Sequence, residues 1–136
     1  MTTVSHHAAL IYVMVVVSAA DGAMSASELK TIGDLVKGLP VFDDFDPLKL
    51  VSTTQACAQI LKEPDGYAAV LGLIKEALPP HLCETAYCLA LEVALADRRV
   101  ALEELRVLDT LRRELGIDKL VAAALERALR ARNQIA

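Results

Sequence analysis

The feature that most constrains this chain is that it repeats itself. Ala20-Asp21 and Glu28-Leu29 in the first half recur as Ala96-Asp97 and Glu104-Leu105 in the second, and the phase holds downstream. Ile32 falls on Leu108, Leu35 on Leu111 and Leu39 on Leu115. Two copies of one helix, acidic turn, helix unit are the simplest account, and they predict an all-α fold with an internal pseudo-twofold duplication. Composition points the same way. Hydrophobic residues make up 54% of the chain while aromatics are 4% and Trp is absent, so Ala, Leu and Val must build the core between packed helices. At 136 residues the chain fits one domain, spanning 1–136.

Local signals divide the chain into seven helical segments. The run from His6 to Ala20 is Val-rich, and periodicity alone does not separate such a stretch from a buried strand; its length and alanine flanks favour helix. Asp21-Gly22 breaks it. Ser25-Ala26-Ser27-Glu28 then reads as a capping box opening a second helix, whose apolar positions Leu29, Ile32, Leu35, Val36 and Leu39 run to Gly38 and Pro40. After the loop Val41 to Asp46, Asp46 as N-cap and Pro47 at the first position start a third helix reaching Lys62. Glu63-Pro64-Asp65-Gly66 separates it from a fourth, Tyr67 to Leu78, and Pro79-Pro80 precede a fifth, His81 to Ala96. A sixth, Leu102 to Leu115, ends at Gly116; Asp118 caps a seventh whose Arg127, Arg130 and Arg132 complement its C-terminal dipole.

Glu28 is in helical phase with Ile32, Leu35 and Leu39, and Glu104 with Leu108, Leu111 and Leu115, so both carboxylates are expected to point inward. A buried carboxylate without a partner costs on the order of several kcal/mol, so each should meet a cation, a donor-rich helix end or a metal. Glu92, alone within Leu89-Ala90-Leu91-Glu92-Val93-Ala94-Leu95, raises the same question. The competing reading makes Asp21, Glu28 and Glu104 simple helix caps. An Asp-Gly followed by Glu seven positions after the Asp matches the latter part of an EF-hand loop, but Val17 and Ala19 in one copy, and Val93 and Leu95 in the other, occupy the early ligand positions. Neither loop alone surrounds an ion. Brought together, Asp21, Glu28, Asp97 and Glu104, with Glu92, form an expected metal site of hard oxygen donors suited to Ca²⁺, Mg²⁺ or Mn²⁺.

Other chemistry finds few carriers. Cys57, Cys83 and Cys88 lack paired spacing and read as reduced core thiols. His6 and His7 lie at an expected frayed start and His81 follows two prolines, so none is placed to serve a nucleophile. No phosphate-binding glycine loop, nucleophile elbow or His-Glu-x-x-His helix occurs, and the expectation is a protein that is not an enzyme. A net charge of -4 argues against nucleic acid as partner. The apolar run at Ala8 to Ala20 is short of the about 20 residues a bilayer span needs, no basic residue precedes it as in a cleavable signal, and a cytoplasmic location is expected. Tyr12, Tyr67 and Tyr87 read as core residues with hydroxyls at the edge, or as contacts for a docked partner.

Ala20-Asp21-Gly22 to Glu28-Leu29 and Ala96-Asp97 to Glu104-Leu105, each set between apolar helices, resemble the TerB-like domain over nearly the whole chain. The resemblance implies an all-α bundle of about seven helices with pseudo-symmetry and a role in bacterial tellurite resistance and stress response. It also implies a metal-binding acidic cluster, carried here by Asp21, Glu28, Asp97 and Glu104, and protein partners among other tellurite-resistance proteins, some in the inner membrane. Arg98, standing where Gly22 stands in the first copy, departs from the family's Asp-Gly pattern.

Overall fold

The first helix, α1 (His6–Ser18), is apolar on every side because it is buried on every side: Ala9 to Ser18 are all nearly inaccessible. In this computed structural model, which describes residues 3–22, 24–97 and 100–136, α1 packs against α2 (Ala26–Gly38), α3 (Leu50–Leu61), α4 (Gly66–Ala77), α5 (Cys83–Leu95) and α6 (Leu102–Glu114). A helix with neighbours all round has no polar face, which is why its sequence carries no amphipathic signature. Leu10, Ile11 and Met14 are fully buried, and each contributes on the order of 2 kcal/mol from apolar burial. Seven α-helices and no strands occur among the described residues, the last being α7 (Lys119–Arg132).

The repeat is visible in the backbone. α2 and α6 occupy matching positions of the two copies, and their caps have the same extended geometry, φ -78° and ψ 162° at Ser25 against φ -69° and ψ 154° at Ala101. α1 packs on both α2 and α6, and so does α5, so the two units interlock. Of α5, Ala86, Tyr87, Leu89, Ala90, Leu91, Val93 and Ala94 are buried. On α2 and α6 the buried stripe is narrower than expected: Glu28, Ile32 and Val36 are buried on one, Glu104, Leu108 and Leu111 on the other. Leu29 and Leu105, expected on that stripe, instead lie 50% and 42% exposed. A residue one step after the buried glutamate is turned about 100° away from it, too far to reach the core.

The connections also differ from expectation in detail. Asp46 caps a 3-10 turn, Pro47–Lys49, before α3 proper, because proline's fixed φ suits a tight first turn. Pro80–Leu82 forms another such turn, so α5 starts at Cys83 rather than His81. Gly66, at the start of α4, sits so close to the Ile60 carbonyl oxygen that a Cβ there would collide with it. His7 is buried and helical, not part of a frayed end: Ser5 caps α1 by accepting a hydrogen bond from the Ala8 N–H.

Candidate metal centre

Each acidic turn delivers one carboxylate into the seam between the repeats. At the start of α2, the Ser25 hydroxyl accepts the Glu28 N–H at 3.1 Å and Glu28 Oε1 accepts the Ser25 N–H at 2.9 Å, the reciprocal bonds of a capping box. Folding the side chain back onto its cap tucks Glu28 inward, where it is 2% exposed. At the start of α6, Glu104 Oε1 accepts the Ala101 N–H at 3.0 Å and the residue is 3% exposed. Alanine has no hydroxyl, so the second cap is only half a box.

The other oxygen of Glu104, Oε2, is buried and receives no hydrogen bond from the described residues. The side chain that bears on the Glu104 carboxyl is Glu28. Burial holds Glu104 up to about 7, and Glu28 adds to the rise, since two ionised carboxylates repel whereas a proton on Glu104 allows a hydrogen bond between them. Burial is the main cause; the hydrogen bond and charge of Glu28 and the charge of Asp21 add to it, while the Ala101 N–H pulls the other way. Among the described residues, no cation acts on Glu104 and no ion pair involves Asp21, Glu28, Asp97 or Glu104.

Asp97, exposed at the end of α5, is tied across the seam: the Ser25 hydroxyl donates to it, 2.9 Å from Oδ2 and 3.1 Å from Oδ1. One hydroxyl of the first repeat thus caps its own helix and holds the aspartate of the second. The matching bond to Asp21 cannot form, because Ala101 stands where a hydroxyl would be needed. Asp21 is exposed in the turn that ends at Gly22, whose φ of +101° favours glycine. Arg98, the residue in the corresponding place of the second copy, lies outside the described residues.

Glu92 belongs elsewhere. It lines a cleft with Thr31, Asp34, Leu35, Gly38, Leu39 and Arg132, its Oε1 lying 3.9 Å from an Arg132 guanidinium nitrogen, and it is not among the groups acting on Glu104. The carboxylates of the seam do not form a closed cage. Among the described residues, three His, Cys, Asp or Glu ligand atoms lie mutually within 4.8 Å at His6, His7 and Asp44 instead. Asp44 joins that group through a loop that turns back onto the start of α1, an approach that spacing along the chain does not reveal.

The cysteines are free and raised by burial, Cys57 to about 12, which leaves them protonated and weak as nucleophiles. Tyr12 and Tyr87 are core residues, while Tyr67 is exposed. Among the described residues, no helix is long and apolar enough to cross a membrane. The family described as tellurite resistance protein TerB matches residues 7–131. No curated protein and no solved structure matches the chain.

Proposed function

Since the chain belongs to the tellurite resistance protein TerB family, we propose that it is a non-catalytic, cytoplasmic domain of the bacterial stress response that holds a divalent cation between its repeats and docks partner proteins. The observation that carries this reading is the buried Glu104 carboxyl beside the equally buried Glu28, its Oε2 without a donor among the described residues. Such a pair is costly to ionise unless a positive charge joins it. Asp21 and Asp97 add two more carboxylates at the rim, giving an all-oxygen donor set suited to Ca²⁺, Mg²⁺ or Mn²⁺. Both rim aspartates are exposed, so an arriving ion draws them toward the glutamate pair and ties one repeat to the other. Partners are other tellurite-resistance proteins, membrane-bound ones included, and no nucleic acid.

Calorimetric titration of chelator-stripped protein with each of these ions tests the proposal. Binding that disappears in Glu28→Gln/Glu104→Gln supports it. Absence of heat and of thermal stabilisation at millimolar ion overturns it in favour of a metal-free docking module. That second reading draws on the formed caps at Ser25 and Ala101, and on the exposed Leu29, Leu102 and Leu105 beside them.

A further inference from the structure

At the opposite end of α1 from the acidic turn, two neighbouring histidines meet a loop carboxylate. His6, His7 and Asp44 each offer one ligand atom, all within 4.8 Å of one another. With α1 13 residues long, this group stands on the order of 20 Å from the acidic seam.

Consecutive helical residues point about 100° apart and do not ordinarily face each other. Yet the His6 and His7 ring centroids are 4.0 Å apart. The His7 ring is fixed: it is buried, stacks on Phe42 at 5.9 Å and leans on Phe45 at 5.4 Å. Its Nε2 lies 2.9 Å from Asp44 Oδ1 and 3.1 Å from the Val41 carbonyl oxygen. One N–H shared between two acceptors accounts for His7 and Asp44. It does not account for His6, which brings a third ligating group to the same point.

We propose that His6, His7 and Asp44 bind a borderline transition-metal ion of the zinc or cobalt type, independently of the acidic seam. Two imidazole nitrogens and one carboxylate oxygen are a donor set that zinc and its neighbours accept and that Ca²⁺ and Mg²⁺ disfavour. The Val41 carbonyl adds a neighbouring oxygen, and solvent completes the coordination. The Asp44 side chain is 80% exposed, so the ion reaches the site from water, while the buried His7 ring is held in place by its aromatic neighbours. Binding replaces the shared N–H with the ion, the His7 ring proton residing on Nδ1. The ion thereby clamps the start of α1 to the loop that leads from α2 into α3.

Titration of the full chain with Co²⁺, followed by visible absorption and then by displacement with Zn²⁺, tests this. One equivalent should bind with the absorption of a low-coordinate nitrogen-oxygen site. His6→Ala/Asp44→Asn should weaken binding at least about tenfold, and Glu28→Gln/Glu104→Gln should leave it unchanged. Equal affinity in wild type and His6→Ala/Asp44→Asn overturns the proposal, as does loss of binding in the glutamate variant. If the histidine-site variant does not fold, ring resonances of the wild-type protein decide. Stoichiometric Zn²⁺ must shift His6 and His7 but not His81, and unmoved His6 and His7 resonances overturn the site.

Discussion

Replacing Glu104 with glutamine should make the protein more stable at pH 8 and no more stable at pH 4.5. Glu104 rises from an ordinary 4.5 to about 7 on folding, chiefly through burial and then through Glu28. Below pH 4.5 the folded and unfolded chains both carry the proton, and the group has no effect on stability. Between 4.5 and about 7 the unfolded chain releases it while the folded chain retains it, so stability falls as pH rises. Above about 7 the full cost is present, roughly 3 kcal/mol for a rise of this size. The substituted glutamine has no proton to lose; its amide oxygen can still accept the Ala101 N–H, and its amide N–H₂ can donate to Glu28, replacing the proton between the two side chains. Urea denaturation in chelator at half-unit intervals from pH 4.5 to 8.5 measures both curves. The wild type should lose stability across this window while Glu104→Gln stays flatter, the two separating by up to about 3 kcal/mol at pH 8. Parallel curves, or a variant that is the less stable at pH 8, would refute the idea that burial beside Glu28 keeps a proton on Glu104.

Ser25→Ala removes both the cap on Glu28 and the tether to Asp97; a loss of about 1–2 kcal/mol in thermal denaturation is expected, together with weaker binding of whichever ion the seam takes. Gly66→Ala should destabilise by more than about 1 kcal/mol, because the new methyl meets the Ile60 backbone rather than a movable side chain; a denaturation midpoint equal to wild type would contradict this close approach. Cys57, fully buried and raised to about 12, should resist alkylation at pH 8 in the folded protein and react only after denaturant is added, as read by mass spectrometry.

Much of the fold could be read from the chain because its signals are local. The capping box at Ser25, the glycines after the helices, the prolines before them and the recurrence of Asp and Glu at one spacing each depend on a few neighbouring residues. The inward aim of Glu28 and Glu104 followed from helical phase, and both are buried. Phase proved a weaker guide at Leu29 and Leu105: it orders residues around a helix, but the width of the buried stripe is set by how closely the neighbouring helices approach. The short lead-in turns at Pro47 and Pro80 were likewise blurred, since proline signals a start without distinguishing a 3-10 turn from an α-helix.

What the sequence alone determined, then, is the all-helical character, the duplication and the identity of the two inward glutamates, because each rests on contacts within one or two helical turns. Tertiary structure decided which charges meet. The two glutamates share a seam only because α1 and α5 each pack on both α2 and α6. Ser25 finds Asp97, Glu92 turns instead to Arg132, and Asp44 reaches His7. Coulomb and hydrogen-bond energies depend on distance in space, and separation along a chain says little about that distance once helices fold back on one another.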